Sequence, residues 1–356
     1  MAPGTLFDAV DGWLSRLITR FNVEDERGRV LLAYGLICSE SLDFDAHRRP
    51  PEFSRINTDG TPIQLSLSFD ATRPVPLQFL AEAGVFGSTN RERILLSRER
   101  MRAVAELFGV GREFGSVTGL LDRMAPEGAP ALDANRSGVY WIGVSFPPKE
   151  APALTVYINS RWGSDEAQWA RLHAFAAWYG LQEPMQAIAR QLRPRMAPLG
   201  VAITVVRGRP VTGRVYASAY GLPVEYYRSL FADFCADAIS QFVETLLGEE
   251  CQYPLRSAVC SFELSAASGI AGAKFELCAH CAFASDAEAS QKCLAWLGSQ
   301  RFDVELYSDT INFLRPGDRL GAMKPPALHS HVGIGVRRGQ LYSSVYLNPG
   351  PLLRDQ

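Results

Sequence analysis

Residues 55–70 read RINTDGTPIQLSLSFD, and the second half of this stretch alternates apolar and polar side chains without a break. After a turn signal at Asp59 and Gly60, the side chains follow the two-residue period of a strand with one apolar and one polar face. The apolar face consists of Ile63, Leu65, Leu67 and Phe69, and the polar face of Gln64, Ser66, Ser68 and Asp70. The first face predicts contact with a core, and the second, which recurs in later strands, predicts a polar interior.

Four later segments repeat this alternation. The residues on their polar faces are Thr155, Tyr157 and Asn159 in strand 152–160; Thr212, Arg214, Tyr216, Ser218 and Tyr220 in strand 211–220; Lys274, Glu276, Cys278 and His280 in strand 273–283; and Tyr342, Ser344 and Tyr346 in strand 340–347. These faces carry cations, phenols and hydroxyls in place of an apolar filling.

The order of elements predicts an internal repeat in which helices precede a pair of strands, five times over, at intervals of roughly 60 to 75 residues. Helical spacing covers 5–22, 26–37, 90–108, 112–124, 164–180, 183–194, 223–246, 285–298 and 306–314. The predicted strands are 62–70, 77–82, 138–145, 152–160, 200–206, 211–220, 257–264, 273–283, 329–337 and 340–347.

Short links join the strands of each pair, so the pairs are predicted to be hairpins. Ten antiparallel strands close most naturally into one barrel, because closure removes the exposed edges of an open sheet. We therefore expect an α+β fold of one domain over residues 1–356, with αββα repeats. In this fold a ring of helices surrounds a ten-stranded antiparallel β-barrel, and the polar faces line its interior, the lumen.

Composition excludes several classes of protein. The chain has 356 residues, 47% of them hydrophobic, which is enough for a large core, and its formal net charge is −2. That charge gives no support to a general surface for nucleic acid or for an anionic membrane. No apolar run is long enough to span a bilayer. Any site for an anion is therefore expected to be local.

The cysteines and the N-terminus indicate where the protein works. Seven cysteines, an odd number, are scattered through a large chain, which favours reduced thiols over a disulfide framework. The first residues mix acidic and basic side chains in an amphipathic pattern and lack the apolar core of a signal peptide. We expect a cytoplasmic protein.

A lumen lined in this way suits a ligand that is partly anionic and partly hydrophobic. Arg214 and Lys274 can neutralise phosphate oxygens, and Tyr157, Tyr216, Tyr342 and Tyr346 offer hydroxyl donors and ring faces. Ring faces also stabilise a carbocation. An anion site beside an aromatic cage is what the ionisation of an allylic diphosphate requires.

The segment TDGTPIQLSLSFD at residues 58–70 resembles the signature of the aromatic prenyltransferases of the dimethylallyltryptophan synthase type, in which a Pro-x-Glu-x-Ser strand follows a DDG turn. The other segments that fall at the barrel strands of that family are LTVYIN (154–159), GRVYAS (213–218), AKFELCAHCAFASD (273–286) and SSVYLNPG (343–350). The resemblance covers most of the chain in order and spacing. It implies the same ten-stranded barrel.

The resemblance also implies roles for individual residues. Arg214 and Tyr216 match the Lys-x-Tyr strand of that family, which binds diphosphate, while Tyr157 and Lys274 match a tyrosine and a basic position in neighbouring units. Gln64 stands where the family has a glutamate that accepts the N–H proton of the acceptor, and an amide cannot take a proton near neutral pH. Three further positions depart from the family pattern: Gln78 replaces an arginine, Thr155 a lysine and Glu276 a tyrosine.

The resemblance implies transfer of a dimethylallyl or similar short isoprenyl group from its diphosphate to an electron-rich aromatic acceptor, with an indole such as tryptophan as the first expectation. A phenol, tyrosine or a peptide side chain stays open as the acceptor. With Gln64 in place of a base, either the acceptor needs only a hydrogen-bond partner, or Glu276 or His280 removes the proton. The alternative is a barrel that has lost its catalysis and binds a hydrophobic ligand; a purely structural or interaction protein ranks third.

Neither metal nor cofactor is expected beyond the co-substrate dimethylallyl diphosphate. The sequence has no DDxxD or NDxxD run, so a magnesium clamp is not supported and activity should survive a chelator. Cys278, His280 and Cys281 form the motif CAHC, but in a strand the two cysteines would point to opposite faces, which favours buried thiols beside a lumen histidine over zinc. His329 and His331, two residues apart, are expected to share one face of their strand. The oligomeric state is left open.

Overall fold

The computed structural model describes residues 4–44, 54–57, 60–85, 87–125, 132, 138–267, 269–314 and 328–349. Asp59, half of the predicted turn before the first strand, lies outside this part of the chain. So do the last residues of the C-terminal tail.

Ten strands form one closed antiparallel barrel, as predicted. Their bounds are β1 Ile63–Asp70, β2 Leu77–Ala81, β3 Tyr140–Phe146, β4 Ala153–Asn159, β5 Ala197–Val206, β6 Thr212–Ala219, β7 Ala258–Ser265, β8 Gly269–Cys278, β9 His329–Arg337 and β10 Gln340–Leu347. Each strand pairs with its neighbours in sequence, and β1 closes the ring by pairing with β10 in a register that runs from Leu65–Leu347 to Asp70–Tyr342.

In the part of the chain that the structure describes, twelve helices surround the barrel. They are α1 Leu6–Arg20, α2 Arg27–Cys38, α3 Asn90–Leu107, α4 Gly111–Gly115, α5 Thr118–Met124, α6 Asp165–Trp178, α7 Gln182–Leu192, α8 Val224–Leu230, α9 Ala236–Leu247, α10 Ala279–Ala282, α11 Asp286–Ser299 and α12 Val304–Leu314. Helices precede each of the five hairpins, which confirms the predicted repeat.

Side-chain caps fix where several of these helices begin. Thr5 and Thr89 form capping boxes with Asp8 and Glu92, so the first backbone N–H groups of α1 and α3 have side-chain partners. Ser164 and Ser285 accept hydrogen bonds in the same way at the starts of α6 and α11.

The core lies between the barrel and the helices. Leu65, Leu67 and Phe69 on the outer face of β1 are at most 3% exposed. Farther round the barrel, Phe231 stacks on Phe262 of β7 with ring centroids 5.5 Å apart. Because the apolar faces turn outward to the helices, the polar faces turn inward, which is the arrangement that the alternation in β1 predicts.

Two predicted helices are each interrupted. The predicted helix 223–246 divides into α8 and α9, because the chain turns over 231–235 to pack Phe231 and Phe234 against Phe262. The predicted helix 112–124 divides into α4 and α5 at Ser116 and Val117.

Two predicted strands have different bounds. The prediction of strand 273–283 is wrong at both ends: β8 begins at Gly269 and stops at Cys278, and residues 279–282 form the helical turn α10. The fifth strand begins at Ala197, three residues before its predicted start, with an irregular register between Pro198 and Gly200. Among the helices of the described residues, none combines the length and apolarity that a bilayer crossing requires.

Candidate functional site

The lumen carries a cluster of two arginines and one carboxylate near one mouth of the barrel. Arg214 of β6 lies opposite Glu263 of β7, and its Nη2 is 2.6 Å from Glu263 Oε2. Arg337, at the end of β9, donates from Nε to the same oxygen at 2.9 Å. Burial alone would raise the pKa of Glu263, but the two arginines hold it below its usual value. Two positive charges therefore share one negative charge here.

A second ion pair lies deeper in the lumen. Lys274 and Glu276, two residues apart on β8, are 2.6 Å apart (Nζ to Oε1) with side chains 3% and 9% exposed. Lys274 also donates to the hydroxyl of Tyr346. Burial would raise the pKa of Glu276, but Lys274 and then His331 lower it below its usual range. Glu276 is therefore ionised at neutral pH and already neutralises the lysine beside it.

Four of the five tyrosines that the sequence places on polar faces, Tyr157, Tyr216, Tyr342 and Tyr346, surround these cations. The prediction for the fifth is wrong, because β6 ends at Ala219 and Tyr220 is 70% exposed. The rings of Tyr157 and Tyr216 lie 6.2 Å apart at 45°. Lys274 Nζ is 4.4 Å from the ring centroid of Tyr346, and Arg337 Cζ is 5.2 Å from that of Tyr342. Burial is the largest effect on the pKa values of Tyr157, Tyr216 and Tyr346 and raises all three, so these phenols stay protonated as hydrogen-bond donors.

Gln64 sits toward the other end of the lumen in a network of side-chain hydrogen bonds. Its Nε2 donates to Asn57 Oδ1 at 3.0 Å and to Ser330 Oγ at 2.9 Å. The amide is 5% exposed, and among the described residues no hydrogen bond reaches its Oε1. The network therefore fixes the amide and leaves its oxygen as an acceptor.

Glu82, which the sequence analysis did not single out, is a buried carboxylate just past the end of β2. It accepts from Ser54 Oγ at 2.7 Å and from Trp141 Nε1 at 3.2 Å, and Arg93 Nη1 lies 3.2 Å away. Burial outweighs these partners and raises its pKa to about 7. The sequence signal was weak, because LAEAG places one acid after a short strand and only the fold brings Trp141 and Arg93 to it.

Glu263 and Arg337 were also missed. In SFELS the glutamate continues the alternation that defines the lumen face, but its register with Arg214 could not be found from a hairpin, because helices separate β6 from β7 in the chain. Arg337 stands in the turn sequence VRRG, where a solvated cation is the ordinary expectation.

Two polar residues at positions that depart from the family pattern bond along the barrel wall. Gln78 donates from Nε2 to Ser145 Oγ at 2.8 Å, and Thr155 lies 3.0 Å from Thr204 (Oγ1 to Oγ1). Both pairs join neighbouring strands. They contribute no charge to the lumen.

The expectation that His329 and His331 share a face is wrong. His329 is buried outside the barrel, where its Nδ1 lies 2.8 Å from Asp286 and its Nε2 lies 2.8 Å from Tyr307. His331 lies opposite Cys278 in the lumen wall, with Nδ1 2.9 Å from Ser330 Oγ. The register of β9 against β10 shifts at this point, and that irregularity reverses the alternation between the two histidines.

His280 does not occupy a lumen position of a strand, because it lies in the turn α10 and is exposed. The turn brings it beside Cys278, with Sγ 2.9 Å from Nδ1. Burial is the first cause that raises the pKa of the Cys278 thiol, to about 12. The other predicted site residues lie on the lumen wall, with Gln64 apart from the cluster around Lys274.

Structural comparison finds close likenesses over nearly the whole chain. A 5-dimethylallyltryptophan synthase from Streptomyces coelicolor has a TM-score of 0.85 and 18% identity and covers 99% of both chains. A 6-dimethylallyltryptophan synthase from Micromonospora olivasterospora, solved with DMASPP and Trp, has a TM-score of 0.83 and 18% identity and covers 98% of both chains.

The prenyltransferase PriB, in a ternary complex with L-tryptophan and dimethylallyl thiolodiphosphate, has a TM-score of 0.83 and 18% identity, with coverage of 97% of this chain and 96% of its own. No protein-family model matches the chain, and no curated protein sequence matches it significantly. The chain thus has the ten-stranded barrel fold of the dimethylallyltryptophan synthases.

Proposed function

We propose that the protein is a prenyltransferase that moves a dimethylallyl group from its diphosphate to the indole ring of tryptophan or a related acceptor. One observation carries this proposal: cations and buried tyrosines face each other inside a barrel whose structural neighbours were solved with tryptophan and a dimethylallyl thiolodiphosphate. The combination fits a ligand with an anionic head and a cationic reacting carbon.

The diphosphate would bind between the arginine cluster and Lys274. Arg214, Arg337 and Lys274 contribute three positive charges against two from Glu263 and Glu276, which leaves one positive charge for the anion. The protonated tyrosines add hydroxyl donors. When the C–O bond of the donor breaks, the electron pair leaves with the diphosphate, and these groups stabilise the charge that develops on it.

The acceptor would bind at the Gln64 end of the lumen. The free Oε1 of Gln64 can accept the indole N–H and so orient the ring, while the tyrosine faces shield the allylic cation from water. A ring carbon then attacks the cation, a C–C bond forms, and the ring proton must leave. Of the two bases expected from the sequence, Glu276 is better placed than His280, because it is ionised and lies inside the lumen.

We further propose that donor ionisation needs no magnesium, because side chains supply the positive charge at the site. The turnover rate measured with a chelator and no added metal should equal the rate measured with added Mg²⁺ and no chelator. The seven cysteines, all in the described part of the chain, are free thiols, which supports our assignment to the reducing cytoplasm.

The direct test is incubation with labelled dimethylallyl diphosphate and a panel containing L-tryptophan, other indoles, phenols and peptides, with product detected by mass. We expect a prenylated indole. Arg214→Ala should lower kcat/KM for the donor by about tenfold or more. The matched control is Arg209→Ala, which removes an exposed arginine that pairs with Glu150 on the outer surface.

The second candidate is a barrel that binds a hydrophobic ligand without reacting. It is favoured by the pairing of all three of these cations with carboxylates and by the amide at Gln64. Saturable binding of the thiolodiphosphate analogue with no product from any acceptor would support this candidate and contradict the transferase.

A pair of variants locates the proton acceptor. If Glu276 is the base, Glu276→Gln should lower kcat with every acceptor, while Gln64→Glu supplies a new carboxylate near the acceptor ring. The single-turnover rate of each variant, compared with that of the wild type, measures these effects. Unchanged rates in both would contradict the assignment of the acceptor site.

A further inference from the structure

Outside the proposed reaction site, three side chains at one end of β8 converge on a small volume. The ligand atoms of Cys278, His280 and Cys281 all lie within 4.8 Å of one another. Cys278 Sγ and His280 Nδ1 are 2.9 Å apart. Among the described residues, this is the only group of three or more metal-binding side chains gathered so closely.

The local backbone explains the convergence. The strand β8 ends at Cys278, which serves as the N-cap of the turn α10. Residues three apart on a helical turn lie on the same side, so Cys281 returns to Cys278 instead of pointing away from it. The two cysteines would point to opposite faces of an extended strand, but the helical turn brings them to the same side.

We propose that Cys278, His280 and Cys281 form a binding site for a zinc ion. Two thiolates and one imidazole are a ligand set of this metal. Zn–S bonds of about 2.3 Å and Zn–N bonds of about 2.0 Å at tetrahedral angles place ligand atoms about 3.5 to 3.8 Å apart. Cys278 Sγ lies 3.7 Å from His280 Nε2, close to these values, and the three ligand atoms lie within 4.8 Å of one another, so rotation of side chains is enough to complete the geometry.

A neighbouring histidine and a route for the ion are both present. His331 pairs with Cys278 in the ladder between β8 and β9 but is not one of the three gathered side chains, so the fourth position of the tetrahedron is left to a water molecule or to His331 after a side-chain rotation. His280 is exposed, and a cavity of about 230 Å³ on the outer side of the barrel reaches Cys281. The ion can therefore enter without opening the barrel.

The site would act on stability and not on the donor. It joins the turn α10 to the end of β8 and would fix the chain where it leaves the barrel. The diphosphate-binding cations proposed above lie elsewhere on the lumen wall. Prenyl transfer should therefore continue after zinc is lost and should still need no Mg²⁺.

The test is to load the full chain with Zn²⁺ under reducing conditions, remove unbound metal by gel filtration and measure metal per chain. We expect about one zinc per chain, a sulfur-to-metal charge-transfer band after substitution with Co²⁺, and a higher Tm with the metal bound. In Cys281→Ser and His280→Gln the affinity should fall about tenfold or more.

Exposed His280 makes His280→Gln a variant that should fold even if Cys278→Ser does not. Cys251→Ser is the matched control, since Cys251 is a half-buried thiol outside the cluster, and it should bind zinc like the wild type. Less than about a tenth of an equivalent of zinc in the wild type would overturn the proposal. So would equal affinity in His280→Gln, or a Cys278–Cys281 disulfide that persists under reduction with no metal bound.

Discussion

Gln64 is the residue on which the chemistry of the lumen depends most. Its nitrogen is committed to Asn57 and Ser330, so only its oxygen faces a ligand. We predict that Gln64→Leu lowers kcat/KM for the aromatic acceptor by about tenfold while affinity for the donor stays unchanged, because the lost hydrogen bond orients only the acceptor.

Gln64→Glu should retain more activity than Gln64→Leu, since a carboxylate oxygen also accepts an N–H. Gln340→Leu, at the opposite mouth of the barrel, is the control and should behave like the wild type. Steady-state kinetics with each substrate varied in turn measures these effects. A change in donor KM equal to the change in acceptor KM would contradict the role assigned to Gln64.

Glu82 should make stability depend on pH. Its pKa in the folded chain is about 7 against an ordinary value of 4.5, so the folded state holds this proton more tightly than the unfolded state. The stabilisation is complete below about pH 4.5 and is lost as pH rises through about 7. Glu82→Gln should therefore gain stability relative to the wild type across this window, by on the order of 3 kcal/mol.

Urea unfolding of both proteins between about pH 5 and pH 8 measures this difference. Glu92→Gln is the control: hydrogen bonds from the Thr89 backbone and side chain lower the pKa of Glu92, so its stabilisation is lost only below about pH 4.5 and the difference from the wild type should stay constant over this range. A constant difference between Glu82→Gln and the wild type at all pH values would contradict the prediction.

At the scale of elements, the sequence predicted what depends on periodicity and missed what depends on partners. β1 was placed within one residue, because alternation of apolar and polar side chains is enough to define a strand with two different faces. The end of β8 was predicted wrongly, because residues 278–283 also fit the alternation of a strand. In the structure residues 279–282 form a helical turn instead. The ion pair between Arg214 and Glu263 could not be predicted, because it depends on the register between β6 and β7, which a single sequence does not determine.

Glu263 also pairs with Arg337, so this carboxylate joins β6, β7 and β9, and the cluster leads to a prediction on anion affinity. Glu263 competes with a diphosphate for Arg214 and Arg337, so Glu263→Gln should bind inorganic pyrophosphate more tightly, by about fivefold to tenfold. Glu150→Gln, which frees the exposed Arg209, is the control and should leave the affinity unchanged. Calorimetry measures both. Weaker binding by Glu263→Gln would mean that the carboxylate orients the arginines more than it competes.

At the scale of the molecule, barrel closure follows from an argument about edges. The five hairpins could have formed an open sheet, but ten strands would then leave two long unpaired edges. The pairing of β1 with β10 removes both edges. The charge balance of the lumen could not be predicted in the same way, because it depends on which polar faces meet across the barrel.

Closure also predicts that the chain unfolds as one unit. A repeat cannot leave a closed barrel without exposing two edges, so destabilising one repeat should lower the stability of all. We predict that Ile334→Ala, at a fully buried position in β9, costs about 2 to 5 kcal/mol and lowers the urea midpoints of far-UV circular dichroism and tryptophan fluorescence together. Leu32→Ala, at a side chain that is 59% exposed, should change neither. Two separate transitions in the variant would show that the repeats unfold independently, and the single-domain prediction would then be wrong.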